Sequence, residues 1–294
     1  MKSIELLNLR IDCLKADEFR ELLKESYQGS NKIKVGKINT EFLLRAINSK
    51  EFEETINKFD VNIADGAGVL WAAKYMSLPV TNVYILRQIQ AVWQMIYTGA
   101  SLVFKPGYTT DPIPERFPGV EAMYLMLGIA EGNQTPVYLL GAEKKVSDIV
   151  PGRLKQRFPK LVIAGHHAGY DFDNEAVIKE INESKAGLVI VAFGSPKQEY
   201  WIRDNIDKLI NIKVAVGEGG SFDFIAGENK RAPEWMKRAG LEWFWRMFMN
   251  TNKTGEINSR AKRRYGRVWQ AVPVFIYTVV RYKIRSTENE NGKG

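Results

Sequence analysis

One cysteine stands in the 294 residues, Cys13. It cannot close an internal disulfide, and it cannot build a cysteine zinc cage. That fits a reducing cytosol. Histidine is nearly as scarce, and the two present, His166 and His167, are adjacent. Neighbouring residues on a strand point to opposite faces, so they make a poor chelating pair. Asp171 and Asp173 lie beyond a turn at Gly169, and no metal is expected here. The opening Met1–Phe19 has no apolar core of secretory type, because charges interrupt it every few residues; no signal peptide is expected. The apolar stretch Gln90–Phe104 is too short to cross a bilayer as a helix, and reads as core or as a lid-like insertion. The chain also lacks internal repeats, low-complexity tracts, a P-loop pattern and a dinucleotide fingerprint.

What is present is enough for a sizeable core. Hydrophobic residues make up 45% of the chain, which argues against wholesale disorder. The length suits one large α/β domain, or a domain with an appendage. The net charge of +8 is uneven. Lys230 to Arg285 holds 14 Lys/Arg against three acids, Glu234, Glu242 and Glu256. Such a segment points to an anionic partner. Its cations are interleaved with Leu241, Trp243, Phe244, Trp245, Met247 and Phe248, and later with Trp269, Phe275 and Val279. That mixture suits a helix at a lipid headgroup boundary. The alternative is a helix packed on the domain with its cations solvated. The expected division is a catalytic domain over 1–238, interrupted at about 79–112, then a basic amphipathic appendage over 239–294.

The body of the chain repeats a strand-helix rhythm. Residues 3–12 and 33–39 look extended, and Leu14–Tyr27 reads as a helix. Val61–Ala64 is a short strand, with a helix from Gly66. Strands are then expected at Pro136–Gly141, Leu161–Ala164, Gly187–Gly194 and Lys213–Gly217. Helices fill the gaps at Glu143–Phe158, Asn174–Ser184 and Lys197–Ile210. Continuous apolar strands alternating with helices predict a Rossmann-like, mostly parallel sheet with helices on both faces. Ligands of such sheets sit at the carboxyl ends of the strands.

Three stretches lie at those ends. In Val61-Asn-Ile-Ala-Asp-Gly-Ala-Gly-Val69, Asp65 stands between a strand and a glycine turn. Its carboxylate either acts as a general base on a substrate hydroxyl or caps the helix that begins at Gly66. Gly194-Ser-Pro-Lys-Gln-Glu199 opens a helix, with Ser195 able to cap it and free backbone N–H groups that attract phosphate. On that motif alone a plain capped turn is the simpler reading. Gly217-Glu-Gly-Gly-Ser-Phe-Asp223 has three glycines that let backbone approach a ligand; it is either a nucleotide or sugar loop or a tight turn.

Taken together, the blocks resemble the WecG/TagA/CpsF family of bacterial glycosyltransferases. The carriers are Asn39-Thr-Glu-Phe, Ala64-Asp-Gly-Ala-Gly-Val, Pro114-Glu-Arg-Phe-Pro-Gly-Val, Tyr138-Leu-Leu-Gly, Gly194-Ser-Pro-Lys-Gln-Glu-Tyr-Trp-Ile and the run from Val216 through Arg231-Ala-Pro-Glu-Trp-Met to Arg246. The resemblance covers most of residues 1–250. It implies a GT-E-like fold and transfer of an N-acetylhexosamine-type sugar, of the N-acetylmannosamine or its uronic acid type. The donor is a UDP-sugar and the acceptor a polyprenyl-diphosphate-linked sugar, in cell-surface polysaccharide or teichoic acid assembly. It implies inversion, no bound metal and no cofactor.

By the same resemblance Asp65 is the general base, with Asn39, Arg116 and Gln198 beside it. Gly66, Gly194, Lys197, Gly217, Gly219, Gly220, Asp223 and Arg231 line the substrate site, and Arg246 and Lys253 close over the donor diphosphate. The chain departs from the family at Lys37, where Thr is usual, at Glu121, where Asp is usual, and in residues 79–112, which lengthen a short link. The expected setting is the cytoplasmic face of the membrane, held peripherally at the inner leaflet. Association into a homo-oligomer stays open. Two rivals remain. A nucleic-acid binder would use the basic tail, but no helix-turn-helix or aromatic platform supports it. A non-catalytic nucleotide-sugar sensor would share the fold.

Overall fold

The computed structural model describes residues 1–227 and 272–285. Arg231, Arg246, Lys253 and the aromatic run 241–248 lie outside the described residues. The first extended stretch is a hairpin, β1 (Ser3–Leu6) and β2 (Leu9–Asp12), paired antiparallel. It folds back because Leu7 and Asn8 take φ of 47° and 69°, values that the apolar pattern does not reveal. The hairpin clips onto the main sheet through Asp12 Oδ2, which accepts from Asn62 N at 2.7 Å. Arg10 Nη2 adds a donation to Phe59 O at 2.6 Å.

The main sheet has six strands: β3 (Ile33–Ile38), β4 (Val61–Ala64), β5 (Val137–Gly141), β6 (Ile163–His167), β7 (Leu188–Ala192) and β8 (Val214–Gly217). Their order is β4-β3-β8-β7-β5-β6, with every pairing parallel. Both faces are covered, which is why the strands read as apolar throughout. On one face Leu188, Ile190 and Ala192 of β7 meet α1 (Ala16–Gln28), α6 (Gly119–Gly132), α7 (Lys144–Arg157) and α10 (Ser221–Ile225). On the other face Val189 and Val191 meet α8 (Asn174–Glu183) and α9 (Lys197–Asn205). A third cluster joins the hairpin to α2 (Thr40–Asn48), α3 (Lys50–Asn57) and α4 (Ala67–Ser77).

Several boundaries differ from expectation. β6 begins at Ile163, because Leu161 is spent as a buried plug ahead of it. α9 ends at Asn205, and the chain tightens into a 3₁₀ turn at Ile206–Lys208. The stretch 79–112 is dominated by α5 (Tyr84–Phe104), followed by a 3₁₀ turn at Pro106–Thr110. Within the expected appendage, residues 272–285 are helical. There Phe275 and Val279 do not face lipid; they are buried in the third cluster with Trp71 and Tyr75.

Candidate active site

The carboxyl edge of β3, β4, β7 and β8 gathers most of the polar residues singled out in the sequence. Asp65 follows β4, and its backbone N donates to Ile38 O at 2.7 Å. The helix after it is capped by Gly66, with no side-chain cap bond. Gly66 takes φ +106°, open to glycine at no steric cost. The Asp65 carboxylate is therefore not spent on its own helix. Its Oδ1 accepts from Gly119 N at 3.1 Å, the first residue of α6. The segment leading there is strapped to the end of β4, since Phe117 N donates to Ala64 O at 2.7 Å. Arg116 is one residue earlier, half-buried, so the strap carries an arginine to the Asp65 corner.

Lys37, the departure at the Thr position, is buried beside this corner. Its Nζ donates to Glu218 Oε1 at 2.5 Å and to Gly119 O at 2.7 Å. Glu218 is buried as well, and Ser221 Oγ donates to its Oε2 at 2.5 Å. Burial pushes the Glu218 carboxyl up, Lys37 opposes the shift, and the nearby Asp65 charge adds to it. Sequence reading did not assign this pair to each other. A lysine inside an apolar strand and a glutamate inside a glycine loop were the available signals.

Gln198 forms the second corner. Its Oε1 accepts from Gly194 N and Gly219 N, both at 3.0 Å. Its Nε2 donates to Glu199 Oε1 at 2.7 Å. The side chain thus staples the loop after β7 to the loop after β8. The glycines there are small because of it: a Cβ on Gly217 would stand 2.4 Å from Gln198 Nε2, and one on Gly219 would stand 2.7 Å from the Gly194 backbone. Glu199 is buried, and its Oε2 has no hydrogen-bond partner. Burial, first of all, pushes its carboxyl up to about 7.

Asn39, Lys197 and Gly220 lie at the same edge, Asn39 directly after the Ile38 and Ala64 pair that leads to Asp65. Asn39 caps α2, with Oδ1 accepting from Phe42 N at 3.0 Å. Ser195 does not cap α9; the cap position is Pro196, without a side-chain bond. Lys197 and Gly220 are exposed, and Asp223 is half-buried in α10. Glu121 faces solvent on α6. His166 approaches Asp148 of α7 at 3.6 Å, whereas His167 meets Glu180 of α8 at 3.1 Å. The two rings therefore diverge to helices on opposite faces of the sheet. A surface depression of about 810 Å³ lies between α1 and α6, lined by Arg20, Lys24 and Arg157 among others. It contains neither Asp65 nor Gln198, and the converging polar groups at the carboxyl edge mark the better site.

A parallel α/β sheet with a half-buried carboxylate, an arginine and glycine loops at its carboxyl edge has the parts of a group-transfer enzyme. The chain belongs to the glycosyl transferase WecG/TagA/CpsF family, whose sequence pattern matches residues 4–101 and 81–289. It is similar to the N-acetylglucosaminyldiphosphoundecaprenol N-acetyl-beta-D-mannosaminyltransferases of Staphylococcus aureus strains MRSA252 and MW2. Each is 28% identical over 256 residues, covering 87% of this chain and 83% of the relative. The protein is a glycosyltransferase. The two stretches of the family match overlap over residues 81–101, most of which belong to α5.

Proposed function

We propose that the protein moves an N-acetylmannosamine-type sugar from a UDP donor to a polyprenyl-diphosphate-linked sugar, with inversion and without a metal. The relatives' names support the sugar and the acceptor class, since both describe transfer onto a diphosphoundecaprenol carrier. Asp65 removes the proton of the acceptor hydroxyl. That oxygen forms the new bond to the anomeric carbon, while the bond to the diphosphate breaks and its electron pair leaves with UDP. The departing charge needs cationic and N–H donors. Arg116 and the backbone of residues 217–220 supply them from the described residues, with Arg231, Arg246 and Lys253 as further candidates. Gln198 holds the glycine loops in register for the donor.

The observation that carries this reading is the Asp65 carboxylate itself. It stands at the ligand edge and leaves the capping of its own helix to Gly66. Asp65→Asn is expected to keep UDP-sugar binding and to lower turnover by about 100-fold or more. Transfer to a lipid-linked acceptor, followed by UDP release, checks it; equal turnover would reduce Asp65 to a cap for α6. The proposed setting is the cytoplasmic face of the membrane, with peripheral attachment. No helix among the described residues is long and apolar enough to cross a bilayer.

A further inference from the structure

Helix α5 is built inside out. It contains a single charged residue, Arg87, and buries it; Arg87 Nε and Nη2 donate to the carbonyls of Thr81 and Asn82. The same inner face carries Gln90, Gln94 and Thr98. Gln90 and Gln94 donate to Pro79 O, Thr98 Oγ1 accepts from Trp71 Nε1 at 3.0 Å, and Lys283 Nζ donates to Gln94 Oε1 at 2.7 Å. The outer face is apolar. Ile85 is 69% exposed, Ile89 62%, Trp93 66%, Ile96 54% and Phe104 82%. Those spacings keep them on one side of a helix about 31 Å long. A continuous apolar strip of that length on a folded chain marks an interaction surface.

We infer that this outer face of α5 rests in the apolar boundary layer of a lipid bilayer, with the helix lying along the membrane plane. Three observations select lipid over a protein partner. The strip is lined by bulky aliphatics with Trp93, Tyr84 and Tyr97, the residues of an interfacial helix. The cationic excess of the chain, which lies in 230–285, gives the same protein a separate attraction to an anionic surface. The helix is also strung between the two arms of the site: Asp65 and α4 precede it, and Arg116 and Gly119 follow it. The third argument rests on the proposed lipid-linked acceptor, because α5 is bonded to α4, the helix that follows Asp65, through Trp71 and Thr98, and seating it on the bilayer holds that helix near the carrier. Arg87, Gln90, Gln94 and Thr98 keep the helix from spanning, and their bonds to the domain fix which face is offered.

The test uses the full chain and vesicles of phosphatidylcholine and phosphatidylglycerol in equal parts. The triple variant I89Q/W93Q/I96Q should lose vesicle flotation by about ten-fold or more. Its melting temperature and its turnover with a water-soluble acceptor should stay unchanged. A second measurement does not depend on the triple variant. Cys13 is buried, so a polarity-sensitive dye attached to Trp93→Cys reports on that position, and its emission should shift to the blue when vesicles are added. Flotation equal to the parent chain, or no spectral shift, overturns the inference. So does a parent dimer that the triple variant converts to monomer, since that assigns the face to a second copy. Flotation that depends on α5 in a chain with no transferase turnover would sink the proposed reaction and leave the surface standing.

Discussion

Gln198 and Asp65 stand on the same edge of the sheet, and their surroundings differ. The Gln198 amide is engaged at both ends: two backbone N–H groups on its oxygen and Glu199 on its nitrogen. At the Asp65 corner the carboxylate takes one backbone donor, and the neighbouring cation, Lys37, is already committed to Glu218. The first corner is a frame that sets the spacing of two glycine loops. The second holds a carboxylate with one backbone donor, beside a buried lysine that is engaged with Glu218, which suits the base proposed above. Family position alone would rank Gln198 and Asp65 as equal partners in chemistry. Their bonding supports the division proposed above, with Gln198 as frame and Asp65 as base.

The contrast is broken most severely at Lys37. Lys37→Met strands Glu218 as an unpaired buried acid, and is expected to cost about 3–5 kcal/mol in denaturant unfolding at neutral pH. The loss should shrink in acid, where Glu218 takes up a proton and needs no partner; a cost independent of pH would argue against the pair.

Glu199 probes the Gln198 corner. Folding raises its pKa from 4.5 to about 7, chiefly by burial. A carboxyl raised in this way favours the folded state while it stays protonated, and that advantage is lost as pH climbs from 4.5 through about 7. Glu199→Gln keeps an oxygen to accept from Gln198. It should therefore gain up to roughly 3 kcal/mol relative to the parent between pH 4 and pH 8, from 1.36 kcal/mol per pKa unit. Unfolding curves at the two pH values read this directly, and a flat difference would place Glu199 in water.

The smallest effect belongs to Asn39. Asn39→Ala removes the α2 cap and should cost about 1 kcal/mol. If turnover falls only as far as stability does, Asn39 acts through the cap. A loss of turnover in a fully folded sample would add a substrate contact to its role.

The parallel sheet was legible because its strands are buried on both faces and read as unbroken apolar runs; Leu188–Ala192 is the plainest case. The positions of Asp65 and the glycine loops followed from where those strands end. The hairpin was not legible, since its turn depends on left-handed backbone at Leu7 and Asn8 with no glycine to announce it. The Lys37–Glu218 pair joins residues 181 apart in sequence, beyond the reach of any local pattern. In α5 the periodicity was visible in principle, but a period does not say which face turns inward. Here Arg87, Gln94 and Thr98 went in beside Ala91, Met95 and Leu102, and the larger apolar set from Ile85 to Phe104 went out.

The last described helix has a consequence for how this protein can be dissected. Trp71 and Tyr75 of α4 stack on each other, Phe275 meets Trp71 edge-on, and Lys283 sits over the Tyr75 ring and donates to its carbonyl. Residues 272–285 thus act as a keystone, not as a detachable handle. A fragment trimmed ahead of residue 272 would bare that aromatic stack to water, so its failure to reach membranes, or its clumping, would report a wounded interior and say little about the address of the intact enzyme.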